Sequence, residues 1–363
     1  MKNILFVGYL TGYGGAEKSM TMIANGLAKL GHKVTIISLK DNNIVYDIDD
    51  KVKYIFIGDK NTNKLTKIAY RFKNLSTILK EIEPDIVLSF WLQPAFFVSL
   101  ISKRIGFKTI YAERGDPSDK EYYGFKGILR NITFKKTDGF VFQTNGAKNF
   151  FSKEIQNKSI VINNPVYIKY DDYDINTDRS KRIVNIGRLH QQKNQILLIN
   201  AFSKIQKEYP EYILEIYGDG HLKIELENKI NFLGLNGRVK LKGTTNKILE
   251  RIKDAALFVL SSDYEGMPNA LMEAMALGLP CISTDCSPGG AREIITNKMN
   301  GILCEVKNEE QLAKSIKYML DNRTESERMA RNAKNICETH CTKTILEKWE
   351  KYIINLSPNI MKG

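Results

Sequence analysis

The sequence predicts an α/β protein built as two doubly wound parallel sheets, and three observations carry that expectation. Short runs rich in Ile, Val and Phe alternate with helix-compatible segments along the whole chain, which is the signature of βαβ units. The alternation occurs twice, with six such runs before residue 165 and six more from residue 182 onward. At 363 residues the chain exceeds one ordinary hydrophobic core, so two domains are the default.

In chain order the first half offers NILFVGY, HKVTIISL, KYIFIG, DIVLSF, TIYAE and GFVFQT as strands. The second half offers RIVNIGRL, YILEIYG, RVKLKG, LFVLSS, PCISTD and GILCEV. Between them, INNPVYIKYDDYDINTDRSKR is polar and aperiodic, as a linker is. We therefore expect a first domain over 1–165, a linker over 166–182 and a second domain over 183–345. The closing stretch TKTILEKWEKYIINL has helical spacing at Ile345, Leu346, Trp349, Ile353 and Ile354, predicting a helix over 346–363 that packs back across the domain boundary or caps the second domain. Ligands of doubly wound sheets sit outside the carboxyl ends of the strands, so two such domains facing across a cleft place the site between them.

Composition and charge narrow the classes. No apolar run approaches the roughly 18 residues of a spanning helix, and the opening MKNILFVGYLTGYGG is too quickly interrupted to be a secretory signal. Five cysteines confined to the second half argue against a disulfide framework and for a reducing compartment, so a cytoplasmic protein is expected. His340 between Cys337 and Cys341 lacks a second ligand pair for zinc. The formal net charge of +13 is uneven: up to Pro165 there are 25 Lys+Arg against 15 Asp+Glu, and beyond it 29 against 26. Two stretches concentrate the excess, Lys64 to Lys80 and Lys126 to Lys136, with Ile68, Phe72, Leu75, Leu129, Ile132 and Phe134 interleaved. Each reads as an ordinary surface helix or as a helix lying on an anionic membrane. No nucleic-acid-binding signature accompanies the charge.

Four loops that follow strands carry the chemistry. GYLTGYGGAEKS places Gly12, Gly14 and Gly15 before a helix that begins at Ala16, allowing close backbone approach to a ligand. Its glycine spacing does not fit a dinucleotide fingerprint, and Asp41 is only loosely placed for a ribose. NIGRLHQQKNQ holds Arg188 and Lys193, two cations suited to neutralise a departing diphosphate. YGDGHLK turns tightly at Gly218 and Gly220. The fourth, SSDYEGMPNALMEAMALGLPCISTDCSPGGARE, sets Glu265 before a helix and Glu273 inside it, about two turns on. Carboxylates are poor diphosphate partners and good acceptors from sugar hydroxyls. The helix N-terminus near Gly266, Pro268 and Asn269 presents backbone N–H groups to a phosphate.

The segment EGMPNALMEAMALGLPCI resembles the Glu-x7-Glu element of family 4 retaining glycosyltransferases of GT-B fold. GGAEK is similar to their amino-terminal Gly-Gly-Ala-Glu-Arg loop, IGRLHQQKN to their Gly-Arg-Leu…Lys loop, and INNPV to their interdomain Asn-Pro segment. The resemblance runs from residue 1 to about 340 and is most specific in the second half. It implies that Arg188 and Lys193 hold the donor diphosphate, Glu265 the sugar hydroxyls and Glu273 the ribose. Gly218, Gly266 and the backbone of Met267, Pro268, Asn269 and Ala270 would lie close to sugar and phosphate, with Gly14 and Gly15 lining the acceptor side. It further implies front-face transfer with retention, assisted by the leaving diphosphate. No metal and no cofactor are expected, since Arg and Lys neutralise the charge.

One departure concerns the loop YAERGDPSD after the fifth strand, where many family members carry a histidine and this chain has Arg114 at or beside that place. Polysaccharide-building members resemble it in having Glu-Arg-(Asn/Gly)-Asp-Pro. Glu113, Arg114 and Asp116 are thus candidates for acceptor or sugar contact, against the alternative of an internal Arg–Asp staple. The function expected is transfer of a hexose or N-acetylhexosamine from a nucleotide diphosphate sugar, UDP-linked by family precedent, to a lipid-linked or growing surface oligosaccharide. A basic first domain would rest peripherally on the inner face of the membrane. The alternatives are a GT-B sugar-nucleotide epimerase and a non-catalytic subunit that binds sugar nucleotide.

Overall fold

The computed structural model describes residues 1–10, 15–40, 44–58, 63–119, 122–166 and 179–357. It divides into two compact units, Met1–Asn164 with Lys343–Gly363, and Pro165–Thr342.

The first unit holds seven parallel strands: β1 (Asn3–Gly8), β2 (Lys33–Ser38), β3 (Val52–Phe56), β4 (Ile86–Ser89), β5 (Lys108–Ala112), β6 (Gly139–Phe142) and β7 (Ser159–Val161). They lie in the order β3-β2-β1-β4-β5-β6-β7. β1, β4 and β6 are buried along almost their whole length, as strands covered on both faces must be, which is why they read as unbroken apolar runs. β7 was not among the expected strands. It has three residues, all half-buried, too few to show a pattern, and it pairs only with β6 at the sheet edge.

The closing helix, Thr342–Leu356, belongs to this first unit. Ile345, Trp349 and Ile353, spaced four apart on one helix face, are fully buried beside Ile4, Phe6 and Met20, while Ile354 stands 43% exposed. Polar contacts fix the helix: His32 Nε2 meets Glu350 Oε1 at 2.9 Å, and the Tyr352 hydroxyl donates to the Lys158 carbonyl at 2.6 Å and accepts from Phe140 N–H at 2.9 Å. Trp349 stacks on Phe90 at 6.1 Å. We expect Trp349→Ala to cost about 3–5 kcal/mol, read as a lowered midpoint in denaturant; a midpoint within error of the parent would contradict this packing.

The second unit holds β8 (Ser180–Ile186), β9 (Ile213–Tyr217), β10 (Val239–Gly243), β11 (Ala255–Leu260), β12 (Cys281–Thr284) and β13 (Ile302–Cys304). All pairings are parallel, in the order β10-β9-β8-β11-β12-β13. The cysteines form no disulfide; Cys281, Cys286 and Cys304 are buried. In both sheets the order reverses beside the first strand of the unit, between β1 and β4 and between β8 and β11. Connections there leave to opposite faces, opening a crevice at the carboxyl ends. Among the described residues no helix is long and apolar enough to cross a membrane.

Candidate active site

The reversal point of the second sheet brings two of the four sequence loops together. The loop after β8 carries Lys193, the loop after β11 carries Glu265, and the two side chains form an ion pair. Glu265 is 7% exposed. Its Oε1 accepts from Lys193 Nζ and also from the Ser262 hydroxyl at 2.7 Å, while Oε2 receives no donor among the described residues. An ammonium has three donors, so the pair leaves Lys193 with hydrogen-bonding capacity toward a further anion.

Backbone contacts lock the two loops. Asp263 N–H donates to the Gln192 carbonyl at 2.8 Å, Gln192 Nε2 to the Tyr264 carbonyl at 2.9 Å, and the Ser261 hydroxyl to the Lys193 carbonyl at 3.0 Å. Asn194, at φ 43°, caps the following helix through Leu197 N–H and donates Nδ2 to Asp263 at 2.8 Å. Asn tolerates this left-handed conformation better than most residues.

Arg188 lies two residues past the strand end, exposed beside the buried Leu189. Its guanidinium makes no hydrogen bond or ion pair among the described residues. Its field is felt nearby: the His190 imidazole is held below its ordinary pKa, first by desolvation and then by the charges of Arg188, His221 and Lys193. The third loop packs against this one. Gly218, at φ 138°, leaves no room for a side chain, because a Cβ there would sit 2.0 Å from the Gly187 carbonyl oxygen.

Glu265 is positioned from behind by the loop after β12. Its N–H donates to the Ser287 carbonyl at 2.9 Å, and a Cβ on Gly290 would meet the Gly266 carbonyl oxygen at 1.9 Å. Ser262, Ser287 and Gly290 were not anticipated from sequence; the two glycines of SPGG were the only signal. Cys286, next to this contact, is pushed up to about 12 by burial and then by the Glu265 charge, so it stays a thiol. Gly290→Ala forces a methyl against the Gly266 carbonyl and is expected to destabilise by about 1–3 kcal/mol while displacing Glu265. Unchanged melting temperature and transfer rate would show that the two loops do not depend on each other.

The helix after Glu265 is Asn269–Ala276, with Leu271, Met272, Ala274, Met275 and Ala276 buried and no side chain capping its start. Met267 and Pro268 are buried, and Asn269 and Ala270 half-buried. Glu273 is half-buried, the fifth of the eight helical residues, so it sits about one turn into the helix rather than two turns beyond Glu265.

In the first unit the loop after β5 lines a cavity of ≈ 360 Å³ with Tyr9, Ala16, Phe90, Trp91, Glu113, Arg114, Tyr122 and Lys126 among its walls. Glu113 is 3% exposed and saturated from within: Oε1 accepts from the N–H groups of Arg114 and Gly115 at 3.0 and 3.2 Å and from Tyr122 at 3.1 Å, and Oε2 from Tyr111 at 3.1 Å. Burial raises its carboxyl above the usual range, against those hydrogen bonds. Asp116 accepts from the N–H and hydroxyl of Ser118. Arg114 donates to Asn164 Oδ1 at 3.0 Å, and its guanidinium carbon lies 4.4 Å above the Phe90 ring. Asn164, from the INNPV segment, also receives Gln143 Nε2 at 2.6 Å. Gly15 opens the helix Gly15–Lys29, whereas Gly12, Gly14 and Asp41 lie outside the described residues. Among those residues no cluster of three His, Cys, Asp or Glu is arranged to hold a metal ion.

Two doubly wound sheets, with a cation–carboxylate pair at the reversal point of the second, define a GT-B protein. Comparison with known proteins agrees along the whole chain. The family model described as Glycosyltransferase Family 4 matches residues 13–170, and that described as Glycosyl transferases group 1 matches 172–336. An uncharacterized glycosyltransferase of Methanocaldococcus jannaschii is 31% identical over 278 residues, 69% of this chain and 68% of that one. A Campylobacter jejuni protein, "GalNAc-alpha-(1->4)-GalNAc-alpha-(1->3)-diNAcBac-PP-undecaprenol alpha-1,4-N-acetyl-D-galactosaminyltransferase", is 28% identical over 97% of this chain and 98% of its own. The crystal structure of Anabaena HepE in complex with UDP shares the fold at a TM-score of 0.78, with 18% identity, 98% of this chain and 100% of that one covered. The chain belongs to the family 4 glycosyltransferases and has the GT-B fold.

Proposed function

We propose that this protein is a retaining transferase that moves a hexose or N-acetylhexosamine from a UDP-sugar to a lipid-linked or growing surface oligosaccharide. The Lys193–Glu265 pair carries the reading, because it sets a cation and a carboxylate side by side where a sugar diphosphate has its two unlike parts. Lys193 and Arg188 take the diphosphate, Glu265 Oε2 the sugar hydroxyls, and Glu273 the ribose. Backbone N–H groups of Met267 to Ala270 add a positive helix end for the phosphates. As the glycosidic bond to the diphosphate breaks, charge gathers on the leaving oxygen. The ion-paired Lys193 ammonium and the exposed Arg188 guanidinium stabilise it without a metal, and the acceptor oxygen bonds to the anomeric carbon on the same face as its proton passes to the diphosphate.

The acceptor half of the reading rests on the first-unit cavity. Arg114 presents a guanidinium backed by an aromatic ring, while Glu113 and Asp116 act by holding the loop in shape. The named reaction of the Campylobacter relative, on an undecaprenol-diphosphate acceptor, and the UDP in HepE support the substrate classes. A peripheral position on the cytoplasmic face of the membrane is part of this proposal.

A donor screen tests it: purified protein against UDP-, GDP- and ADP-sugars, scoring nucleotide diphosphate release with and without lipid-linked acceptor, and the product anomer by NMR. Acceptor-dependent UDP release with an α product is expected. Isomerised sugar nucleotide without release would make the protein an epimerase, and binding with neither reaction a non-catalytic subunit. A second expected result concerns His190. A bound diphosphate screens Arg188 and Lys193, which now depress the imidazole, so UDP should move the His190 titration upward by NMR. A downward or absent shift would remove the phosphates from this loop.

A further inference from the structure

The two cation-rich stretches of the first half fold into helices that treat their apolar residues in opposite ways. In Lys64–Ile82, Leu75 and Leu79 are fully buried, and Ile68, Phe72 and Ile78 pack onto the same core. That stripe is covered, and its lysines are an ordinary solvated face. Phe125–Lys136 instead sends Phe134 inward, its ring 5.1 Å from Tyr111 and 4.9 Å from Phe140. Phe125, Ile128 and Ile132 face outward at 77, 59 and 41% exposure. Spaced three and four apart, they form one row along the helix. Tyr123, 66% exposed, precedes the helix, and Phe150, 49% exposed, lies beside it, with the Arg130 guanidinium 5.7 Å from its ring.

Single exposed apolar side chains are common; a contiguous group is an interaction surface. The charge around this one selects the partner. FKGILRNITFKK contains Lys126, Arg130, Lys135 and Lys136 and no acidic residue. A second copy of the same face would set cations against cations, whereas an anionic bilayer takes the apolar row into its acyl boundary and the ammonium groups onto its phosphates.

We propose that the Tyr123–Ile132 face docks the protein on an anionic lipid bilayer. The proposal rests on the reading of a lipid-linked acceptor and deepens it: the same helix lends Lys126 and Leu129 to the wall of the first-unit cavity, so an acceptor anchored in that bilayer has the cavity beside the docked face.

Co-sedimentation of the full chain with vesicles tests it, in phosphatidylcholine alone and with phosphatidylglycerol added, without sugar nucleotide. Binding is expected only with the anionic lipid and should weaken as salt rises. Replacing Phe125→Ser, Ile128→Ser and Ile132→Ser together should weaken it about 100-fold, while Phe232→Ser, an 84% exposed ring in the second unit, should not. The triple variant should still transfer sugar to a short water-soluble acceptor, which confirms its fold and separates the two readings. Wild-type protein that ignores anionic vesicles, a triple variant that sediments like wild type, or a dimer that the three substitutions dissociate would overturn the docking surface and leave the transferase reading standing. Absence of transfer with every donor would instead strike at the function, since vesicle binding is scored without substrate.

Discussion

Lys193→Ala is expected to lower transfer about 10²–10³-fold, the usual loss when one preorganised group that stabilises developing charge is removed. The Lys193 side chain is 17% exposed and its ammonium is ion-paired with Glu265, so it is fixed in place before any donor arrives and does not have to be collected from solvent. The substitution also leaves the Glu265 carboxylate with Ser262 as its one side-chain partner among the described residues, at a stability cost of about 1–3 kcal/mol. Lys193→Arg separates the two effects. It restores charge, but the stem packs against Gly187, where a Cβ would lie 3.1 Å from Lys193 Cγ and Cδ, and a planar fork fits that path poorly. Steady-state rates with a saturating acceptor, beside denaturant midpoints, would show Arg recovering stability more fully than rate. Full activity in Lys193→Ala would exclude it from the diphosphate.

Glu265→Gln is expected to cost about 100-fold in transfer for a different reason. The carboxylate gives Oε1 to Ser262 and Lys193, leaving Oε2 for the proposed sugar contact; an amide has one acceptor oxygen and would turn an N–H toward either the ammonium or that sugar. The loss should fall on turnover, where hydroxyl contacts strengthen as the glycosyl cation develops. UDP affinity should hold or rise, because UDP lacks the transferred sugar and Lys193 loses a competing carboxylate. A parallel loss of UDP affinity and turnover would assign Glu265 to the nucleotide.

What the sequence made legible is what it encodes locally. Strands buried on both faces show as apolar runs such as NILFVG and AALFVL, and the glycine loops sit at their ends. β7 escaped because three half-buried edge residues carry no period. In the second unit the Arg188–Lys193 and Glu265–Glu273 segments were identifiable singly, and the sheet order explains why two of them meet: β8 and β11 are neighbours though about 70 residues apart. Partners supplied by the fold were hidden. Ser287 reaches Glu265 and Gly290 reaches Gly266 from another loop, and Glu113 reads as a carboxylate open to substrate until Tyr111 and Tyr122 close on it from two sides. Asp116 is legible in the sequence, since Asp-Pro-Ser favours the Asx turn that it forms with Ser118.

Whether the reversal point of the second sheet holds a nucleotide diphosphate is read by calorimetric titration of UDP into the wild-type protein and into Arg188→Ala, Lys193→Ala and Glu273→Gln. Saturable binding by wild type is expected, at least about tenfold weaker in each cation variant, and weaker also without the Glu273 charge. UDP affinity indifferent to both cations would contradict it.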